Sequence, residues 1–594
     1  MKQTLFSTTT YPVTKLIQDI DLGEIALPDI QRPFVWKGTK VRDLFDSLYK
    51  GFPVGYLLFW SYSPGANTKQ IGTSNKSNAA RLLVVDGQQR LTSLYAVMKG
   101  RAVLDEDFNE KKIKISFCPV DATFEVQSAA TRRDPEYISN ISSIWSEDTD
   151  LFDFVDSFLS RLREKREVGD GEKKNIRKSI QRLYSLQQYN FTALELNESV
   201  NEEEVAEVFV RINSKGKSLN QADFILTLMS VFWDEGRRDL ETFCYRARKP
   251  TKGEASPFNH FVEPDPDQLL RASIGLGFRR ARLQYAYSIL SGKDLDTGEV
   301  SDDLRLENFQ TLKEAQEYAL DLTNWHEYFN ALSRAGFRSG DMITSQMTIF
   351  YCYLMYLIGR RDFGLKGHEL RTVMARWFFM CNISRRYTGS SESTMESDLN
   401  LINDAESAVE FVETLDRIIE NTLTNDFWTI TLPDELESST AYSPTLFAYH
   451  AALNILDAKA LFSDLKLTKL LDPSVNAKKN GVERHHLFPK SYLKKQGVTS
   501  RTRRNQIANY AHVEWADNIQ IADRSPEDYF PEYADRFSDE ELEQMMEWHA
   551  LPEGWETMPY EEFLEARRDR IAAITRKGFE RLTEKADSVL SSLQ

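Results

Sequence analysis

The sequence predicts a multidomain α+β protein whose strands lie mainly toward the N-terminus. Its 594 residues exceed what one hydrophobic core usually organises, and about 150 residues per domain suggests about three or four units. Short strand patterns mix with helical ones early in the chain, whereas long helical patterns dominate from about residue 265 to 465. We predict an α+β domain over 1–235, a helical middle domain over 236–435 and a third domain over 436–594.

The N-terminal domain is expected to contain short strands that lead into helices. Residues 25–28 read as an extended segment, 82–85 as a buried strand, and 189–196 as a further strand. After 82–85, apolar residues recur at helical spacing. The charged segment 160–185 is predicted to be helical, with a break at 169–171. The polar residues that follow 82–85 therefore lie on a strand-to-helix turn.

The middle of the chain is predicted to be a helix bundle. Residues 347–357 are almost entirely apolar or aromatic, which is more typical of bundle core than of a cofactor site. Segments 250–253 and 264–266 have the proline and glycine content of linkers, and 432–435 is predicted as a second break.

Composition excludes several classes of protein. No apolar run approaches the ~20 residues that cross a bilayer, and the N-terminus lacks a secretory signal, so we expect a cytoplasmic protein with no membrane partner. The net charge of −16 argues against nonspecific coating of nucleic acid. The cysteines form no CxxC pair and no disulfide framework, so we expect buried thiols in a reducing compartment. They are Cys118, Cys244, Cys352 and Cys381.

One stretch, 478–504, departs from this acidic average. Its basic residues are opposed only by Glu483: Lys478, Lys479, Arg484, Lys490, Lys494, Lys495, Arg501, Arg503 and Arg504. A charge run is often no more than solvated surface. This run surrounds a histidine pair, so we predict that its residues from Lys490 onward contact DNA phosphates.

The histidine pair is the first place to look for chemistry. The chain has eight histidines, and three of them fall between residues 485 and 512. His485 and His486 are adjacent, so one imidazole can hold a divalent metal while its neighbour activates water. We predict a strand at 482–487, a second strand at 505–513 and a helix at 514–521, which together form a β-β-α motif.

This segment resembles the HNH, or His-Me finger, nuclease domain of GmrSD-type, BrxU-like and SspE-like restriction proteins. In that family an HHxFPK block is followed by an asparagine at the second strand, another asparagine nine positions on, and a Pro-x-x-Tyr segment. This chain supplies His485, His486, Asn509, Asn518 and the segment 526–529.

The resemblance implies a role for each of these residues. His486 would be the general base, and Asn509 would orient it. His485 and Asn518 would ligate one divalent ion, with Mg²⁺ expected and Mn²⁺ or Ni²⁺ as alternatives because a nitrogen ligand is less typical of Mg²⁺. In a competing register with the same spacing, Asn518 orients the base and Glu527 is the ligand, although a carboxylate there also suits a helix start.

The role of His512 stays open as well. It is either a strand residue that faces the cleft or a packed one, and it is left outside the predicted site.

Three blocks in the first domain, 28–36, 86–90 and 209–219, resemble the ParB/sulfiredoxin-like domain of the same restriction proteins. The resemblance implies nucleotide-linked activity, recognition of modified DNA, or both. Physically, a carboxylate can contact metal or water, a guanidinium suits phosphate, and amides donate and accept. No GxxxxGK[ST] loop is present. The candidate residues are Asp86, Gly87, Gln88, Gln89, Arg90, Arg32 and Arg211.

The function that this resemblance implies is a modification-dependent, type IV-like DNA restriction endonuclease in phage defence. Its expected partners are double-stranded DNA, modified phage DNA in particular, and an NTP, either GTP or ATP. A homodimer is a further expectation, since cutting both strands at one site takes two protomers or two successive nicks. One alternative is a regulator that senses DNA or binds nucleotide without cutting, and a third hypothesis is an NTPase that does not act on DNA.

Overall fold

The computed structural model divides the chain into two compact units, Met1–Asp234 and Glu235–Gln594. It describes residues 5–593 except for 29–33, 35, 62–67, 70–80, 105–109, 147, 198–199, 201–207, 209–221, 223–224, 227–228, 230–232, 252, 295–296, 300, 441, 472 and 474–481. The residues predicted as the middle and third domains lie together in the second unit.

The first unit combines a sheet with packed helices. Its strands are β1 (Phe6–Pro12), β2 (Ile25–Pro28), β3 (Leu57–Ser61), β4 (Thr68–Lys69), β5 (Leu82–Asp86), β6 (Ala102–Leu104), β7 (Glu110–Lys112), β8 (Ile115–Cys118), β9 (Thr123–Val126) and β10 (Asn190–Leu196). Its helices are α1 (Val13–Leu22), α2 (Gly38–Lys50), α3 (Gln88–Met98), α4 (Ala129–Arg133), α5 (Leu151–Arg163) and α6 (Asp170–Tyr184). The predicted break at 169–171 falls where α6 begins.

The main sheet has six strands in the order β1, β10, β3, β5, β2, β4. Antiparallel pairs alternate with the parallel pairs β10/β3 and β2/β5. Strand β5 is buried on both faces: Leu82 and Val84 join the larger core, while Leu83 and Val85 join the smaller core on the other side. Successive side chains of a strand point to opposite faces, which is why this short apolar run has no polar alternation.

The second unit is mostly helical. Its helices are α7 (Asp234–Ala247), α8 (Pro266–Phe278), α9 (Leu283–Leu290), α10 (Asp302–Ala319), α11 (Leu322–Arg334), α12 (Gln346–Arg361), α13 (Gly367–Ile383), α14 (Ser391–Asn403), α15 (Ala408–Thr422), α16 (Leu432–Glu435), α17 (Pro444–Ile455), α18 (Leu467–Leu470), α19 (Lys490–Lys495), α20 (Arg501–Arg504), α21 (Trp515–Ile521), α22 (Pro526–Ala534), α23 (Asp539–Trp548) and α24 (Tyr560–Leu593). In α12, all residues from Thr348 to Gly359 are buried, which confirms the predicted bundle core.

Two predicted boundaries differ from the structure. The break predicted at 432–435 is wrong, because α16 follows directly on the π-helical turn Phe427–Thr431. Proline is tolerated in the first turn of a helix, so Pro433 does not end the helical segment. The linker predicted at 264–266 overlaps the start of a helix. Pro266 is the first residue of α8, and Asp265 is its N-cap.

A small antiparallel hairpin interrupts the helices of the second unit. It consists of β11 (Val482–His486) and β12 (Tyr510–Glu514), with His485 opposite Ala511 and His486 opposite Tyr510. Helix α21 follows β12 directly, so the predicted order of strand, strand and helix is present. The second strand begins five residues later than predicted, after a 3₁₀ turn at Ile507–Asn509.

Two predictions from composition can also be compared with the structure. All four cysteines are free and buried. Among the helices that the structure describes, none has both the length and the apolarity that crossing a membrane requires.

Candidate active site

The β-β-α motif gives the two adjacent histidines different neighbours. Neighbouring residues of a strand project to opposite sides, so His485 and His486 cannot share one set of contacts. His485 reaches the helix α21, whereas His486, at the end of β11, reaches the loop that precedes β12. The two imidazoles therefore have separate partners, Asn518 for His485 and Asn505 for His486.

His485 and Asn518 lie side by side. Nδ1 of His485 is 2.8 Å from Oδ1 of Asn518, and the imidazole is only 3% exposed. Burial lowers the pKa of His485 to about 4, an effect that the Asn518 contact opposes, so the ring is neutral at pH 7. Its Nε2 is buried and has no hydrogen-bond partner within the described part of the chain. An amide oxygen only accepts, so Nδ1 carries the hydrogen and donates it to Oδ1. Nδ1 becomes a metal ligand only in the other tautomer, with the hydrogen on Nε2.

His485 and Asn518 would be able to hold one divalent ion together. Their separation of 2.8 Å is that of a hydrogen bond, and both side chains carry atoms that serve as metal ligands in proteins. Both ligands are neutral, and no cluster of three His, Cys, Asp or Glu side chains suited to a metal occurs among the described residues. The pair therefore suits an ion that keeps most of its positions for water and phosphate oxygens, as Mg²⁺ commonly does.

The imidazole of His486 contacts Asn505, which does not belong to the sequence motif. Its Nε2 is 3.1 Å from Oδ1 of Asn505, and its ring centroid is 4.5 Å from that of Tyr510. Burial lowers the pKa of His486 to about 4; the Asn505 hydrogen bond opposes this, while the nearby Lys490 and His485 add to it. The imidazole is therefore neutral at pH 7, the form that can accept a proton from water.

The side chain of Asn509, near the histidine pair, forms hydrogen bonds with backbone atoms. Its Oδ1 accepts a hydrogen bond from the Phe488 amide at 2.8 Å, and its Nδ2 donates to the Phe488 carbonyl at 3.0 Å. Nδ2 also donates to the Arg504 carbonyl at 3.1 Å. Asn509 therefore fixes the chain just after His486, while the imidazole itself is contacted by Asn505.

Two buried residues secure this loop from outside the motif. The hydroxyl of Tyr529 donates to the Leu487 carbonyl at 2.7 Å. Arg567, fully buried on α24, donates to the Ala508 carbonyl at 2.6 Å and twice to the His549 carbonyl, at 3.0 and 3.2 Å. The residue before Asn509 is thus anchored to the longest helix of the unit. No sequence signal pointed to Arg567, which is 59 residues away from Ala508.

His549 makes the stability of this unit depend on pH. Burial lowers its pKa from 6.5 to about 3, and its Nε2 contacts the Lys459 carbonyl at 3.0 Å. Below pH 6.5 the unfolded chain therefore binds a proton that the folded chain does not, and stability falls as the pH drops toward 3. We expect His549→Gln to reduce this pH slope by about 1.4 kcal/mol per pH unit, measured by urea unfolding between pH 6 and 4.5. An unchanged slope would contradict the burial argument.

The competing register receives less geometric support. Glu527 is exposed in the first turn of α22, whose N-cap is Ser525 and whose first residue is Pro526. No hydrogen bond or ion pair joins Glu527 to either histidine of the pair among the described residues. A carboxylate in a first helical turn has a structural reason of its own.

His512 belongs to a different environment. It is buried, lies opposite Arg484 on the hairpin, and its ring centroid is 4.2 Å from that of His450. This packing favours the structural interpretation of His512.

The basic residues of the predicted DNA-binding stretch divide into two groups. Three have partners within the protein: Lys495 with Asp523 at 3.4 Å, Arg503 with Glu561 at 2.5 Å, and Arg504 with the Val498 carbonyl at 3.1 Å. Three others are exposed and form no ion pair within the described ranges: Lys490, Lys494 and Arg501. Lys478, Lys479 and the side chain of Arg484 lie outside the described residues.

This division predicts which charges matter for DNA. If Lys494 and Arg501 contact DNA phosphates, we expect Lys494→Ala and Arg501→Ala each to weaken DNA binding and to lower the slope of log affinity against log salt by about 1. Arg503→Ala should have a smaller effect, since Glu561 already neutralises that charge. Fluorescence anisotropy across a salt series tests this, and equal slopes in all variants would contradict it.

In the first unit, residues 86–90 form the predicted turn between β5 and α3. Gly87 has a φ of +98°, and a Cβ there would lie 2.4 Å from a methyl carbon of Leu57. Arg90 donates to the Val54 carbonyl at 2.7 Å and to the Asp86 carboxylate at 3.0 Å. A guanidinium placed this way fixes the turn from within.

The other polar side chains of this turn differ in burial and in hydrogen bonding. Gln88 is buried, and Oε1 of Gln89 accepts from the Trp36 amide at 3.3 Å. The Asp86 side chain keeps 36% of its surface exposed. Arg32 and Arg211 lie outside the described residues, so their contribution to this turn stays a prediction.

The N-terminal part of the chain is similar to a known protein domain. Residues 13–230 match the N-terminal domain of the GmrSD restriction endonuclease. This match supports a GmrSD-like restriction protein. The chain is also similar to an uncharacterized protein of Methanocaldococcus jannaschii, at 22% identity over 549 residues, which cover 86% of this chain and 84% of the relative. The GmrSD match ends well before the histidine pair, whereas that similarity extends over most of the chain.

Proposed function

We propose that this protein is a modification-dependent DNA restriction endonuclease that cuts at an HNH site in its second unit. The observation that carries the proposal is the contact of His485 Nδ1 with Asn518 Oδ1 at 2.8 Å, beside a neutral, oriented His486. The GmrSD match over 13–230 independently suggests a restriction nuclease, and therefore a hydrolase that acts on DNA.

The proposed reaction is hydrolysis of one phosphodiester bond. His486 takes a proton from water as the water oxygen attacks phosphorus, the bond from phosphorus to the leaving deoxyribose oxygen breaks, and that oxygen takes a proton from solvent water. Asn509 holds the backbone that carries His486 in place. His485 and Asn518 would hold Mg²⁺, or Mn²⁺ or Ni²⁺ in its place. When bound, the cation stabilises negative charge on the phosphate and the leaving oxygen. Lys490, Lys494 and Arg501 would hold flanking phosphates.

The first unit is proposed to sense the modification or to bind and hydrolyse GTP or ATP. The Asp86 carboxylate, 36% exposed and hydrogen-bonded to Arg90, lies at a turn whose positive φ at Gly87 suits glycine. Gln88, Gln89, Arg32 and Arg211 complete the proposed set. Modified phage DNA is the proposed substrate, and a homodimer would place one site on each strand.

Matched phage DNAs test this proposal. Wild-type protein is incubated with unmodified DNA and with DNA that carries glucosylated hydroxymethylcytosine, using Mg²⁺ and either GTP or ATP. The proposal predicts cutting of the modified DNA only. Cutting of both DNAs would discard modification dependence, and salt-sensitive binding without cutting under any of these conditions would favour the regulator that only senses DNA.

A further inference from the structure

We infer that Asn505 is a positioning residue for cleavage, one that sets which nitrogen of His486 faces the attacking water. The inference rests on the proposed function, because it concerns the same histidine. It assigns a role to a side chain that neither the motif nor its spacing identifies.

The hydrogen bond at Nε2 fixes the tautomer of the neutral His486 imidazole. Such a ring carries one N–H, and the partner of one nitrogen decides where that hydrogen sits. Oδ1 of Asn505 accepts at 3.1 Å from Nε2 of His486, so Nε2 carries the hydrogen. Nδ1 is then left with its lone pair, which makes Nδ1 the atom that accepts the proton from water.

The position of Asn505 is itself fixed by backbone contacts. Its amide donates to the Arg501 carbonyl at 3.1 Å, which closes the short helix α20. The preceding residue, Arg504, offers its carbonyl to Nδ2 of Asn509 at 3.1 Å. Two residues further on, the Ile507 amide donates to the Ser438 carbonyl at 2.7 Å. Asn505 is therefore held on both sides and can constrain a ring that would otherwise rotate.

The two asparagines of this loop carry out separate tasks. Asn509 binds backbone atoms of Phe488 and Arg504, whereas Asn505 binds the imidazole. The Tyr510 ring, tilted 57° against that of His486, restricts the imidazole on another side. Loss of Asn505 should therefore release the ring without displacing the strand that carries it.

A cleavage assay with two variants tests this role at pH 8 with Mn²⁺ and a substrate DNA that the wild type cuts. Asn505→Ala removes the acceptor, and we expect kcat to fall about 10- to 100-fold while KM stays unchanged. Asn505→Asp keeps an acceptor at the same distance, and we expect it to retain kcat within about threefold of wild type. Thr502→Ala, an exposed change in the same short helix, is the matched control and should cut normally.

The decisive readout combines Asn505→Ala with His486→Ala under excess enzyme. A residue that acts only by positioning His486 should cause no further loss once His486 is gone. Further loss in the double variant would overturn the inference, as would a single Asn505→Ala variant with normal kcat. If Asn505→Ala fails to fold, Asn505→Leu replaces it as the variant of similar size without an acceptor; equal kcat for the Leu and Asp variants would then overturn the inference. Wild-type cutting by His486→Ala would instead contradict the proposed function.

Discussion

His486→Ala should lower the rate of DNA cleavage by about 100- to 10,000-fold, the usual contribution of a positioned general base. DNA affinity and thermal stability should stay close to those of wild type, because the histidine lies at a strand end and, among the described residues, its imidazole is hydrogen-bonded to Asn505. Single-turnover cleavage under enzyme excess, with DNA binding measured separately, checks both parts.

A matched histidine on the surface provides the control. His368 is exposed and contacts Arg334, so His368→Ala should cut at the wild-type rate. Equal cleavage rates for wild type, His486→Ala and His368→Ala at the same protein concentration would refute the assignment of His486.

The second large effect concerns Arg567. We expect Arg567→Ala to lower the free energy of unfolding by about 2–6 kcal/mol, because it leaves two carbonyls of buried residues without their donor, at about 1–3 kcal/mol each. Cleavage should fall with stability, since the Ala508 carbonyl that Arg567 holds adjoins Asn509. Urea unfolding measures the first effect, and cleavage well below the unfolding transition measures the second.

Arg576 on the same helix is the comparison for Arg567. It is exposed and pairs with Glu580 one turn away, an arrangement that contributes little to stability. Arg576→Ala should therefore change the free energy of unfolding by about 0.5 kcal/mol or less. Similar losses from both arginine variants would contradict the role given to the buried contacts.

Local patterns in the sequence were sufficient to predict several elements. The apolar run 82–85 predicted β5 because a strand covered on both faces has no polar side. Adjacent histidines, followed by a second strand pattern and a helix pattern, predicted the order of β11, β12 and α21. In these cases, the residues that decide the structure lie close together in the chain.

Other features depend on contacts that no local pattern encodes. Asn505 and Asn509 are four residues apart, and their spacing alone does not say which one reaches the imidazole. Arg567 contacts a carbonyl 59 residues away, which only the packing of α24 determines. The helix at 432–435 was not predicted, because its proline suggests a break. The π-helical turn before it makes Pro433 part of the first turn of a helix. In each of these cases, tertiary packing decides the outcome.

The most direct test is the dependence of DNA cleavage on Mn²⁺ concentration for wild type, His485→Ala and Asn518→Ala. If His485 and Asn518 are the protein ligands, each variant should need at least about ten times more Mn²⁺ to reach half of its maximal rate, as loss of a ligand weakens metal binding. Metal titration curves that superimpose on the wild-type curve would show that the ion is held elsewhere, and the proposed nuclease site would have to be abandoned.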